Sequence, residues 1–332
     1  MKKSRIIGVG HYVPENIITN DYLSSIMNTN NDWIVERTGI HERRWFSPGK
    51  DTVTSMSAAA SRMALERSGL TANDIDFIVF ATITPDYFLP GNGVLLQREL
   101  GMRNIGALDV RNACSGFIYA LSVADQFIKT GMYKNILVVG AEIQSSALDK
   151  SDEGRSSAVI FADGAGAAVL TAVANDQPGI LSTHLHSEGQ YAEELFCLAP
   201  SSSTKVRISP EMIDRGDFFL KMNGNAVFKH AVVRFSEVIQ EALDANGKDK
   251  SEIDLLVPHQ ANLRISNYIQ QKLGLADEKV FNNIMYLGNT TAGTIPIALS
   301  QAWEQKRLKE GDLVCLAAFG SGFAWASALL NW

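Results

Sequence analysis

Only three cysteines occur in 332 residues, and one of them, Cys114, stands in "DVRNACSGF", where an apolar run gives way to a long apolar-periodic segment. A thiol at such a strand-to-helix junction lies in the positive field of a helix N-terminus. That field favours the thiolate, the form that attacks carbon. Two other residues stand in comparable settings: His259 follows the apolar "IDLLV" in "PHQAN", and Asn289 follows "YLG" in "GNTTAG". This trio suits acyl transfer through a thioester. A thiolate attacks a thioester carbonyl, and the oxygen that becomes negative needs donors already aimed at it. The Cys114 N–H and the Ser321 N–H, the latter in the glycine-bearing "FGSGFAW", are the expected donors. Asparagine cannot act as a base, which argues against simple hydrolysis. Neutral donors at His259 Nε2–H and the Asn289 amide suit a second oxyanion, such as the enolate left when a malonyl group loses CO₂. The other histidines, His11, His41, His184, His186 and His230, have no such setting and read as structural.

These residues need elements that bring them together, and the chain supplies them twice. "LTANDIDFIVFATIT" (70–84) is echoed by "KDKSEIDLLVPHQAN" (248–262), "LQRELGM" by "IQQKLGL", and "IKTGMYKNILVVGAE" by "RLKEGDLVCLAAFGS". The offsets are 178 for Asp76 to Asp254, 173 for Gly101 to Gly274, 175 for Cys114 to Asn289 and 180 for Gly131 to Gly311. On that reading Asn289 is the second-half counterpart of Cys114. The halves, 1–174 and 175–332, join near "VANDQPGI", where turn formers cluster. Strand runs such as "NILVVGA" and "DLVCLAAF" are continuously apolar, as in strands buried on both faces under helices. Two such halves back to back make a five-layer α/β sandwich, although the local pattern equally allows two separate doubly wound domains. Related halves would place Cys114, His259 and Asn289 at equivalent strand ends, where ligands bind in open α/β sheets.

Composition narrows the function classes. A net charge of −6 gives no global attraction for nucleic acid or an anionic membrane, so an acidic partner requires a local basic patch. The N-terminal "MKKSRIIGVGHYVPEN" lacks the apolar core of a secretory signal, and no apolar run approaches the length of a membrane span. Three widely spaced cysteines fit neither a zinc site nor a disulfide framework and point to a reducing cytoplasm. "DGAGAA" lacks the third glycine and the acidic residue of a dinucleotide fingerprint, and its glycines read as close helix-on-strand packing.

"NACSGF", "VPHQANLRI", "GNTTAG", "DWIVERTGI" and "FADGAGAAVL", all in register along the whole chain, resemble the 3-oxoacyl-[acyl-carrier-protein] synthase III family of condensing enzymes. The resemblance implies a thiolase-like five-layer αβαβα sandwich built from two duplicated halves, a cytoplasmic homodimer without metal or resident cofactor. It implies a decarboxylating Claisen condensation of an acyl-CoA primer with malonyl carrier protein, through an acyl thioester on Cys114. Trp33, Arg37 and Arg155 would hold CoA, and Asn262 would line the pantetheine tunnel. Gln260, Ala261, Asn262, Leu263 and Arg264, with Lys229 and Lys272, would meet the acyl carrier protein. Leu89, in "PDYFLPGNG", would reach the acyl pocket of a second copy, where its modest size leaves room for a branched or longer primer. Two stretches depart from the family pattern: Gly320-Ser321-Gly322 replaces three glycines, and "TTAGTIP" follows Asn289. A condensing enzyme of secondary metabolism with another primer or acceptor would carry the same trio. A mere acyl-transfer partner would not need His259 and Asn289.

Overall fold

A computed structural model describes residues 2–332. Two mixed sheets form the frame. In the first the spatial order is Gly106–Val110, Phe77–Ala81, Asn135–Ile143, Asp163–Val173 and Lys3–Tyr12, the first three parallel and the last two each antiparallel to its inner neighbour. The second runs Leu255–Pro258, Leu313–Gly320, Ala324–Asn331 and Ile180–Ser187. Its missing edge strand survives as one parallel bridge, Val280 to Leu256. One connection order therefore serves both sheets.

The duplication extends to individual bonds. Phe77 pairs with Ile136 in the first sheet and Leu255 with Val314 in the second, both related by an offset of 178. The Asp76 carboxylate accepts the N–H groups of Lys134 and Asn135, and Asp254 accepts that of Leu313. Capping boxes at Thr71–Asp74 and at Asp249–Glu252 start the same short 3₁₀ turn ahead of each strand.

Strand faces set the layers. All nine residues of Asn135–Ile143 and all eight of Leu313–Gly320 are buried, because helices cover both sides. Ile136 and Val138 face inward onto two central helices, Gly116–Lys129 and Thr294–Glu304, which Val257, Leu316 and Ala326 cover from the other sheet. Leu137 and Val139 face outward onto Met56, Ala60 and Ala64 of the helix Val53–Ser68. Leu256, Cys315 and Ala317 face the helices Gly224–Ala245 and Leu263–Leu273. Helix, sheet, helix, sheet, helix makes five layers, so the alternative of two separate domains does not hold. Cys315 is part of the apolar packing.

Both central helices begin with the same bent turn. The 3₁₀ segments Ala113–Ser115 and Thr291–Gly293 precede Gly116 and Thr294, and each opens on a non-glycine residue at positive φ, 45° at Ala113 and 52° at Thr291. Such residues are uncommon and cluster at functional sites. The shared turn corrects the expected correspondence. At an offset of 178 the counterpart of Cys114 is Ala292, and Asn289 stands three residues earlier, opposite Arg111.

The glycines of "DGAGAA" do lie in close packing. A Cβ on Gly166 would stand 2.6 Å from the Ile297 nitrogen, so the strand Asp163–Val173 needs glycine there to let the second central helix approach. Between Ser187 and Asp217 the chain makes a 3₁₀ turn (Gly189–Glu194), a strand Leu195–Phe196 paired with Lys221–Met222, and a helix Pro210–Asp214. Among the described residues no helix is long and apolar enough to cross a membrane.

Candidate active site

Cys114, His259 and Asn289 line one cavity of about 100 Å³, and all three are buried. Cys114 sits in the first bent turn, beyond the strand Gly106–Val110. His259 directly follows the strand Leu255–Pro258 and is anchored by its N–H on the Ala317 carbonyl at 2.8 Å. Asn289 is held on both backbone sides, its N–H donating to Ile160 and its carbonyl accepting from Ala162, each at 2.9 Å. Phe161, Leu195, Met222, Phe228 and Phe319 make the rest of the wall apolar.

The sulfur is closely confined. A Cβ on Gly320 would lie 2.4 Å from the Cys114 Cβ and 2.7 Å from its Sγ, so only glycine lets the strand end pass this close. The N–H groups of Ser321 and of Cys114 itself reach the sulfur and favour its thiolate. Burial, followed by the charge of Glu142, outweighs them and pushes the thiol up to about 12. The sequence expectation of a thiolate poised by the helix terminus is therefore corrected for the resting site: desolvation wins. Glu142, itself buried and pushed up to about 8 by that burial, accepts hydrogen bonds from Thr82, Ile83 and Thr84.

His259 and Asn289 are oriented by the second bent turn. Asn289 Oδ1 accepts the Thr291 N–H at 2.8 Å, which leaves the amide NH₂ free to donate. His259 Nδ1 lies 2.6 Å from Thr294 Oγ1, and Nε2 is buried without a protein partner. Burial lowers the imidazole to about 3, so the ring is neutral at ordinary pH.

A second cleft of about 420 Å³ shares Ile160, Met222, Gly224, Phe228 and Asn262 with the first and widens toward Trp33, Arg37 and Arg264. The Arg37 and Arg155 guanidinium groups lie 4.8 and 5.0 Å from the Trp33 ring centroid. Asn262 caps the helix Leu263–Leu273 by accepting the Arg264 N–H, and donates to the Arg37 carbonyl at 3.0 Å. A third cavity, about 670 Å³, opens on the other side of the Cys114 turn between Ala113, Gln144, Ala147, Phe196, Leu220 and Ser321. Cys197 lines it as well.

Of the residues expected at the carrier-protein surface, Arg264, Lys229 and Lys272 are exposed. Gln260 is not, which corrects its assignment. Its amide donates to the Pro258 and Phe281 carbonyls and its oxygen accepts the N–H groups of Asn283 and Ile284, a buried strut with every bond internal. Ala261 turns into the catalytic cavity, and Leu263 packs against Gly39. Leu89 is 83% exposed, beside the exposed Tyr87 and Phe88. The arm that carries them is pinned at its base by Asp86, which accepts the N–H groups of Val53 and Thr54. Leu195, Met222, Glu142 and Thr294 were not singled out from sequence. A hairpin, a strand interior and a helix start place them, and no local motif marks them.

Two family profiles match, 3-Oxoacyl-[acyl-carrier-protein (ACP)] synthase III over residues 108–189 and its C-terminal counterpart over residues 243–332. The beta-ketoacyl-[acyl-carrier-protein] synthase III of Thiobacillus denitrificans is 45% identical over 334 residues, covering 100% of both chains. That of Methylococcus capsulatus is 44% identical over 329 residues, 99% of each chain. The crystal structure of the Aquifex aeolicus 3-oxoacyl-[acyl-carrier-protein] synthase III superposes with a TM-score of 0.90 at 41% identity, over 99% of this chain and 100% of that one. The priming β-ketosynthase of the R1128 polyketide pathway also reaches 0.90, at 32% identity.

Proposed function

The chain belongs to the 3-oxoacyl-[acyl-carrier-protein] synthase III family, and from that premise we propose how its residues divide the work. The protein is a condensing acyltransferase that joins an acyl-CoA primer to malonyl carrier protein and so initiates fatty-acid synthesis. The secondary-metabolism alternative is not favoured, given full-length identities of 44–45% to the fatty-acid enzymes.

Cys114 Sγ attacks the primer's thioester carbonyl. The oxyanion is held by the N–H groups of Cys114 and Ser321, and CoA leaves as the thiol with the Cys114 proton. The loaded cysteine carries no charge, so burial that opposes the free thiolate does not oppose the acyl-enzyme. Malonyl carrier protein then enters the same cavity. As CO₂ leaves, the enolate oxygen is met by His259 Nε2–H and the Asn289 amide, and the nascent carbanion attacks the acyl carbon and expels Cys114. One observation carries this reading: a single apolar cavity presents a thiol, a neutral imidazole and an amide NH₂, with no ionised side chain among its lining. Charge formed there gains most from the few dipoles provided.

Trp33 offers a ring for the CoA base, with Arg37 and Arg155 for its phosphates, and Asn262 lines the pantetheine path. Arg264, Lys229 and Lys272 form the patch that steers the acidic carrier protein. The acyl chain occupies the third cavity, closed by Leu89 of a second copy. Homodimerisation is supported by the open edge strand Gly106–Val110 and by exposed Tyr87, Phe88, Leu89 and Val94. Three free cysteines fit a reducing cytoplasm. Steady-state kinetics with acyl-CoA and malonyl carrier protein tests the whole scheme. Parallel double-reciprocal lines and a 3-oxoacyl carrier-protein product are expected; intersecting lines would mean that no acyl-enzyme forms before malonyl binds.

A further inference from the structure

The second bent turn holds both groups that meet the enolate, and it does so through different atoms. The Thr291 N–H fixes the Asn289 oxygen. The Thr291 carbonyl receives the Thr294 backbone N–H and, at 3.0 Å, is also an acceptor for the Thr294 hydroxyl. That hydroxyl lies closer to His259 Nδ1, at 2.6 Å. A neutral imidazole carries one proton, and the partner of one nitrogen decides which of the two holds it. The hydroxyl has one proton and two acceptors within reach, the Thr291 carbonyl at 3.0 Å, which also takes the backbone N–H, and Nδ1 at 2.6 Å; the shorter contact favours Nδ1. A hydroxyl proton given to Nδ1 leaves the ring proton on Nε2, the buried atom that has no protein partner.

We propose that Thr294 is a positioning residue: its hydroxyl donates to His259 Nδ1 and so fixes the tautomer in which Nε2–H is turned into the cavity. The inference rests on the roles assigned above to His259 and Asn289. It makes the second turn the working counterpart of the nucleophile turn, supplying the orientation of two donors instead of a reactive side chain. Thr294 itself is buried at the start of a helix that the strand glycines Gly140 and Gly166 allow to dock. A Cβ on Gly140 would stand 2.2 Å from the Ala292 carbonyl oxygen.

The test compares Thr294→Val, which keeps the shape and removes the hydroxyl, with Thr294→Ser, which restores it. Three quantities are read: CO₂ release from malonyl carrier protein, acyl loading of Cys114 from acyl-CoA, and the ¹⁵N spectrum of the His259 ring in histidine-labelled protein. Thr294→Val is expected to slow CO₂ release roughly 10- to 100-fold, less than the roughly 10²- to 10³-fold of removing an aimed donor outright, because the ring stays in place and only its tautomer is released. The KM for malonyl carrier protein should stay within about twofold, the pattern of a group that acts on the transition state. Thr294→Ser should recover most of the rate, and wild type should show its ring proton on Nε2. A wild-type proton on Nδ1, an undiminished rate in Thr294→Val, or equal losses in loading and CO₂ release would overturn the assignment. His259→Ala separates the two levels. If it releases CO₂ at the wild-type rate, the role given to His259 fails; if it is inert while Thr294→Val runs at the wild-type rate, only the role of Thr294 fails.

Discussion

The turns Ala113–Ser115 and Thr291–Gly293 are one piece of backbone used twice. Each follows the outer end of its sheet, opens on a residue at positive φ, and starts a central helix 178 residues from its counterpart. Each is also seated by glycine from the other half: Gly320 lies against Cys114, and Gly140 against Ala292. Their side chains differ completely. The first turn presents a thiol with two N–H groups on its sulfur; the second presents no reactive atom and aims an imidazole and an amide through Thr291 and Thr294. The two-carbon chemistry needs both an acyl-holding group and an enolate-holding pair. On the roles proposed above, the repeated turns bring them to one cavity.

The largest effect that could break this division comes from Asn289→Ala. Condensation should fall roughly 10²- to 10³-fold, as for loss of one oxyanion donor, while acyl loading of Cys114 stays near wild type. Separate loading and CO₂-release assays check it, and equal losses in both would merge the two turns into one function.

A smaller and sharper contrast uses the seating glycines. Gly320→Ala places a methyl 2.7 Å from Sγ, and Gly140→Ala places one 2.2 Å from the Ala292 oxygen. Both should destabilise by about 1–3 kcal/mol through overpacking, read as a lower denaturation midpoint. Gly320→Ala should chiefly slow acyl loading, and Gly140→Ala should chiefly slow CO₂ release.

The smallest effect is a pH dependence from the imidazole that the second turn orients. His259 is held at about 3 in the fold, below the ordinary value of 6.5. Between those values the unfolded chain binds a proton that the folded chain refuses, so this group's stabilisation is complete above pH 6.5 and is lost as pH falls toward 3. The urea midpoint of His259→Gln should therefore fall less steeply over that window than that of wild type. Parallel curves would mean that the imidazole is not desolvated.

That Cys114, His259 and Asn289 share one cavity could be read from sequence because each stands beside a turn signal at the end of an apolar run, and the repeat implied that such ends converge. The repeat was also misread by three residues. Asn289 is set in an irregular stretch before its turn, and the matched positive φ at Ala113 and Thr291, at the same offset of 178 as the strand pairs, reveals the true register. The resemblance placed Gln260 at the carrier-protein surface; it is buried because two backbone N–H groups from residues 283 and 284 need its oxygen. Thr294 was invisible for a similar reason, since its partner is 35 residues away and meets it only in the fold. The thiol's high pKa was equally out of reach, because helix position is local while desolvation is a property of the assembled cavity.

Intact-protein mass spectrometry after incubation with acetyl-CoA tests the central claim most directly, using wild type, Cys114→Ala and Asn289→Ala. A single acetyl adduct on wild type and on Asn289→Ala, and none on Cys114→Ala, is the predicted result. An adduct that persists in Cys114→Ala, or disappears in Asn289→Ala, would contradict the division of nucleophile and enolate-holding groups between the two turns.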